Sequence, residues 1–347
     1  MKKFLSIALA LLMVCVMLPV VALAAEKTAS TYEELKSAIS TANDGDTIKL
    51  LADIDLSQTI TVNKTITLNM NGKKLYNTSD LWDKPAAEAD NWSLISVRGS
   101  GNLTITGNGT FAAKENDCYA VDVQESATVT IKNGTFIGNI HAVYVFAGTA
   151  NVEGGTYSVQ QKYPDSAKGD EFVLNCYDAN RANGTARINV TGGTFKNFNP
   201  ADNKAEGEGN NFADNSLVVQ KNNTVQNNDY YVGNAANEVI AAASKGEEIF
   251  VLNGTTLTNV PAGVIIQNGT DGEITVNGEK IGPNEGGDSG YVVPAPTTIV
   301  ITTPSEDTTP KTDDQKNPAT GANDFVGLAA AAAVVALLGS AVVLRKK

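Results

Sequence analysis

The chain has 347 residues, of which 42% are hydrophobic, 18% charged and only 6% aromatic, with three Cys, one His and a formal charge of −12. That length supplies ample chain for a buried core. A single histidine excludes a multi-His metal site, three cysteines exclude a Cys-rich zinc or disulfide framework, and the acidic balance argues against nucleic acid, which needs a basic stripe.

Lys2 and Lys3 precede the apolar stretch Phe4–Val20, and Ala22-Leu23-Ala24 forms a small-residue cleavage site before Ala25. This is the order of a secretory signal peptide over 1–24, with an uncleaved membrane anchor as the alternative. Cys15 follows Val14, where a lipoprotein signal would carry a small residue. Next, Ser30-Thr31-Tyr32-Glu33 opens a capping box, and Leu35, Ala38 and Ile39 share one helical face. The spacing predicts a short helix covering a first coil whose strands carry Ile48, Leu50, Ile54, Leu56, Ile60, Val62, Ile66 and Leu68.

An internal repeat follows. Four segments end alike, at Gly109-Thr110-Phe111, Gly134-Thr135-Phe136, Gly155-Thr156-Tyr157 and Gly193-Thr194-Phe195, with aromatic positions 25, 21 and 38 residues apart. Each triplet follows an alternating pair: Leu103/Ile105, Val129/Ile131, Ala150/Val152 and Ile188/Val190. Another alternating pair precedes that one: Ile95/Val97, Val121/Val123, Val143/Val145 and Leu174/Cys176. Three strands of period 2 per unit cannot bury their own inward face, but units stacked in parallel do so with equivalent residues in columns. The expected fold over 25–229 is all-β, a right-handed parallel β-helix with short capping helices and an inward aromatic ladder of Phe111, Phe136, Tyr157 and Phe195. A β-sandwich is the alternative. The columns resemble the pectin-lyase-like architecture, and the domain resembles the β-helical surface proteins of anaerobic gut Firmicutes.

Residues 230–281 read as a C-terminal capping module. Asn237–Ala243 suggests a helix, Ile249–Leu252 a strand, and Asn277-Gly278-Glu279-Lys280-Ile281 echoes Asn71-Gly72-Lys73-Lys74-Leu75. Residues 282–316 are rich in Pro, Thr, Asp and Gly, the composition of a coreless, extended or disordered stalk. The chain closes on Asn317-Pro318-Ala319-Thr320-Gly321, an uncharged apolar span over 325–344 and Arg345-Lys346-Lys347. Alone, such a span is a transmembrane anchor with its basic end cytoplasmic. The three-part order resembles the cell-wall sorting signal of Gram-positive surface proteins, as an NPxTG variant of the LPxTG type. That resemblance implies membrane retention, then a sortase whose cysteine attacks the Thr320 carbonyl, releases Gly321 onward and passes the acyl group to an amine of a peptidoglycan precursor. The commonest motif has Leu in place of Asn317, which leaves the sortase class open. Processing at both ends leaves 21 basic against 37 acidic residues, about −16.

Polysaccharide lyases and hydrolases of β-helical form place carboxylate clusters, or a carboxylate with a basic residue, on an outward sheet face. The outward positions of the best-aligned strand are Ser96/Arg98, Asp122/Gln124, Tyr144/Phe146 and Asn175/Tyr177. Asp122 is the one carboxylate there, with Arg98 one coil away, so a catalytic set, a metal or a cofactor is poorly supported. Tyr144, Phe146 and Tyr177, flanked by Asn175, Asp122, Gln124 and Arg98, form a candidate glycan platform, because sugar C–H faces pack on rings while hydroxyls take hydrogen bonds. Burial of these rings beneath the insertion near 160–170 or the loop 199–215 is the alternative. His141 is expected at the end of an inward column, and Cys176 as a small buried hydrophobe, with a Cys118–Cys176 disulfide as the alternative. The functional expectation is a wall-anchored surface protein displaying a binding or adhesion domain directed at glycans. A lyase or glycoside hydrolase on the same coils, or a structural wall protein, are the rivals.

Overall fold

A computed structural model of the chain describes residues 24–82, 92–161, 172–202, 211–221, 228–284 and 289–296. The signal segment up to residue 23, the sorting motif and the apolar span 325–344 lie outside the described residues. Among the described residues no helix is long and apolar enough to cross a membrane.

The protein is mostly β, and its strands visit three sheets in rotation. The first sheet has seven strands, all parallel: Glu26–Ala29, Thr47–Leu50, Thr65–Asn69, Asn102–Thr106, Thr128–Ile131, Gly148–Val152 and Ala186–Val190. The second has five parallel strands: Ile60–Val62, Ser93–Val97, Tyr119–Val123, Val143–Val145 and Leu174–Cys176. The third starts with six parallel strands, from Ile54–Asp55 to Gly193–Lys196. A chain that returns to the same three parallel sheets once per unit is consistent with a β-helix, whereas a β-sandwich is built from antiparallel sheets.

The expected columns are in register. Leu103, Val129, Ala150 and Ile188 are successive partners, as are Ile105, Ile131, Val152 and Val190. Inside the third sheet, Phe111, Phe136, Tyr157 and Phe195 are fully buried. Their rings stack at 4.8, 5.1 and 5.0 Å with interplanar angles of 13°, 10° and 10°. The triplet glycines have a physical reason. Gly134, Gly155 and Gly193 hold φ of +117°, +100° and +118°, and a Cβ on any of them would press on a ring of the ladder.

Helix α1, Tyr32–Thr41, sits at the N-terminal end and buries Leu35, Ala38 and Ile39. Its N-cap is Thr31, whose hydroxyl accepts from the Glu34 N–H, while the Glu34 carboxylate reaches back to the Ser30 N–H. Helix α2, Asp178–Ala182, follows the last strand of the second sheet.

Beyond Lys196 the third sheet turns antiparallel. Asp229–Val232 pairs with both Gly193–Lys196 and Val218–Lys221, so the expected boundary between 229 and 230 falls at the start of a strand. Helix α3 runs Asn234–Ala241, three residues earlier than expected, and starts from Gly233 at φ +59°. A second apolar cluster gathers Val219, Ala236, Ile240, Ile249, Val251, Val264, Ile266 and Val276. The echo noted in sequence is structural: Asn71-Gly72 and Asn277-Gly278 both take positive φ, the geometry of a tight two-residue turn. Part of the segment expected as a stalk is packed against the sheet. Tyr291–Val292 pairs antiparallel with Ile265–Ile266, and Val293 is buried in the second cluster, because alternating apolar residues can complete a sheet edge even in Pro-rich surroundings.

Removing one ring from the middle of the ladder tests its weight. Phe136→Ala is expected to cost about 3–5 kcal/mol in denaturant unfolding, and Phe136→Leu less than about 1.5 kcal/mol, since volume is largely kept. A loss under about 1 kcal/mol for Phe136→Ala would show that the ladder does not hold the coils.

Candidate functional site

The outward side of the second sheet carries the candidate residues. Thr61, Ser96, Asp122, Tyr144 and Asn175 are successive partners along one column. At the centre of that column the surface is closed: Leu94, Ser96, Ala120 and Asp122 are all 0% exposed. Gln124 Nε2 donates to Asp122 Oδ2 at 2.7 Å, and Arg98 Nε donates to Ser96 Oγ at 2.9 Å. Asp122 is therefore not an open flank of a platform, as expected from parity alone, but a carboxylate packed against the sheet within a polar cluster.

The expected aromatic platform divides into two groups. Phe146 and Tyr177 stack at 4.8 Å and 25°, and Tyr177 is 44% exposed. Asn180 Nδ2 of α2 donates to the Phe146 carbonyl at 2.6 Å, and the Tyr177 N–H donates to Val145 O at 2.9 Å, so the pair is held on both sides. Tyr144 instead packs with His141, at 5.2 Å and 12°, and with Tyr119, at 5.2 Å and 46°.

That second group is larger than sequence parity suggested. Tyr119 also meets His141 at 4.7 Å and Trp82 at 5.4 Å, Trp82 meets Trp92 at 6.2 Å, and His141 meets Phe172 at 6.0 Å. Both tryptophans of the chain belong to it. Trp82, Trp92, Tyr144 and Phe172 are half-buried, whereas Tyr119 and His141 are buried. His141 thus packs on Tyr119 and Phe172, the residues that align with it at the end of the expected column, and also on Tyr144. Its Nδ1 is 2.7 Å from the Phe172 carbonyl, which fixes the ring's orientation.

A buried polar knot sets the position of Trp82. Asp117, 5% exposed, accepts from the Leu81 and Trp82 N–H groups and, at 2.6 Å, from Asn77 Nδ2. Asn77 Oδ1 in turn accepts from the Lys114 N–H at 2.8 Å. Beside this knot, burial first and the Asp117 charge second push the Cys118 thiol well up, so it stays protonated. Cys118 and Cys176 are both buried, and no disulfide joins them. Among the described residues no group of three or more His, Cys, Asp or Glu side chains is arranged to hold a metal ion.

Sequence parity missed Trp82, Trp92, Tyr119, Phe172 and Asp117, because they lie at strand starts and corners. The usable signal was the placement of both tryptophans, in an aromatic-poor chain, on either side of the segment 83–91. Chemically, the site offers ring faces beside the Asn175 amide, the Tyr hydroxyls and neutral imidazole. Such surfaces pack on sugar C–H faces and exchange hydrogen bonds with hydroxyls.

The imidazole is neutral for a definite reason. Burial lowers its pKa to about 4, against the opposing pull of the Phe172 carbonyl. With Nδ1–H donating to that carbonyl, Nε2 is left to accept from Asn175 Nδ2 at 3.3 Å, and a proton there would face a donor. A histidine with a depressed folded pKa contributes stability above its unfolded value of about 6.5, and that stability is lost as pH falls toward about 4. Wild type is therefore expected to lose about 2–3 kcal/mol more than His141→Phe between pH 7 and pH 4 in denaturant unfolding. Equal losses would show that His141 does not titrate with folding.

No family model, curated protein or solved structure matches the chain.

Proposed function

We propose that the protein is exported, joined to a Gram-positive cell wall by a sortase, and displays a right-handed parallel β-helix as a glycan-binding module. The observation that carries the binding reading is the aromatic surface on the second sheet. Trp92, Trp82, Tyr119, Tyr144, His141 and Phe172 form one connected cluster, with the stack of Phe146 and the exposed Tyr177 as a second group. Half-exposed rings beside amides and hydroxyls favour neutral, hydroxyl-rich ligands, and the acidic charge disfavours polyanions. The rival lyase or hydrolase reading depended on Asp122, and its complete burial removes that carboxylate from reach of a substrate.

The anchoring reading rests on the ordered tail: Asn317-Pro318-Ala319-Thr320-Gly321, the span 325–344 and Arg345-Lys346-Lys347. The span and basic end stall the chain in the membrane, which holds the Thr320–Gly321 bond near a membrane-bound transpeptidase. Pro318 fixes its own φ and biases Asn317 to an extended form, presenting the site as a strand-like peptide. The acceptor is the amine of a peptidoglycan precursor, and the stalk beyond Val293 supplies reach.

Replacing Thr320 and Gly321 by alanine is expected to move the protein from the wall fraction to the membrane fraction. Wall attachment that survives the change would refute sorting. For the displayed domain, a glycan array should give a retained ligand that also shifts tryptophan emission, since both tryptophans sit in the ring cluster. Trp82→Ala, and separately Phe146→Ala/Tyr177→Ala, should weaken retention about tenfold, at about 0.5–1.5 kcal/mol per ring contact, with the melting temperature nearly kept. Unchanged retention counts against the face, and a blank array favours a structural wall protein.

A further inference from the structure

The N-terminal edge of the first sheet holds a carboxylate that the glycan and sorting readings do not use. Asp46 lies between the Gly45 turn and the strand Thr47–Leu50, and it is 2% exposed. Its Oδ1 accepts from the Ala25 N–H at 2.8 Å and its Oδ2 from the Asn43 N–H at 3.0 Å. Ala25 is also held from its other side, because the Thr47 N–H donates to the Ala25 carbonyl at 2.8 Å. From there the parallel ladder runs Glu26 with Thr47 through Ala29 with Leu50. Ala25 is thus the residue at which sheet pairing begins, and its nitrogen is aimed at a carboxylate. It is also the residue that follows the small-residue run Ala22-Leu23-Ala24.

We propose that signal-peptide removal between Ala24 and Ala25 completes this edge, because the new Ala25 α-ammonium forms an ion pair with the Asp46 carboxylate. The inference rests on the export reading. In the cleavage, a signal peptidase adds water across the peptide bond. The water oxygen bonds to the Ala24 carbonyl carbon, the C–N bond breaks, and Ala24 leaves as a carboxylate. The Ala25 nitrogen takes up protons and becomes an ammonium. A neutral N–H···carboxylate contact becomes a charge-assisted one at the same position, the stronger kind of hydrogen bond.

The surroundings suit a cation there. Backbone donation from Ala25 and Asn43 already holds the Asp46 carboxyl below its usual range, with Lys27 and Lys64 adding to the effect. Lys64 Nζ is itself tied to the Ser40 and Ala42 carbonyls at 2.6 Å each. Asp44 Oδ1 accepts from the Thr65 N–H at 3.0 Å, and Glu26 lies 3.9 Å from Lys49. An ammonium favoured by Asp46 has a pKa raised above the usual ~8 of an α-amine. Its contribution to stability is complete below that value and is lost as pH rises through the raised one.

The test uses the protein released from the walls of the producing cell. N-terminal sequencing should read Ala25 first. An amine-selective reagent at pH 7 should then label the Ala25 α-amine about tenfold more slowly than in Asp46→Asn, which corresponds to one unit of pKa. A second variant, with one glycine inserted between Ala24 and Ala25, should label as fast as Asp46→Asn, because its amine is displaced from the carboxylate by one residue. An N-terminus at Ala25 with equal labelling in all three proteins overturns the ion pair and leaves export intact. An N-terminus elsewhere overturns the ion pair, and one that retains the apolar stretch 4–20 overturns the export reading as well.

Discussion

A coil of 21 to 25 residues with three short strands has no interior of its own, so each coil depends on the next for every inward side chain. Parallel pairing supplies the interior by setting like residue over like residue at about 4.8 Å. That constraint is strictest in the third sheet, where four aromatic rings repeat at 4.8–5.1 Å with nearly parallel planes. A ring of that size at each level fills one corner of the core, and the glycine two residues before three of those rings leaves it room. Aliphatic pairs do the same on the other two sheets.

The same constraint explains where a ligand face can form. Inward positions are committed to the columns, so chemistry is left to outward positions and to the corners between sheets. On the second sheet the outward positions near Ser96 and Asp122 are closed over, and the corners carry Trp82, Trp92, Tyr119, His141 and Phe172. Stacking brings these corner residues together although they are spread over 91 positions of sequence, from 82 to 172. Asp117 acts through the backbone of Leu81 and Trp82, so a buried charge orients an aromatic residue without touching its ring.

Where parallel stacking ends, the edges are treated differently. At the N-terminal end, α1 covers the first coil and Asp46 holds the first rung. At the C-terminal end the third sheet changes to antiparallel pairing and gains a second apolar cluster, finished by Tyr291–Val292. Both solutions occupy strand edges that would otherwise invite pairing with another chain.

The chain alone determined the strand periods, the column partners, the aromatic ladder and, to within one residue, the cap of the first helix, because each depends on residues close in sequence or repeated at a regular interval. Tertiary structure alone decided the fate of Asp122, His141 and Tyr144. Parity says which side of a strand a residue takes, but not what packs over that side or how a corner turns. His141 reaches the Phe172 carbonyl, Tyr144 stacks on His141, and Asp122 is fully buried. The contacts of His141 with Phe172 and of Tyr144 with Tyr119 join different coils, more than 20 residues apart, which alternation within one strand does not encode.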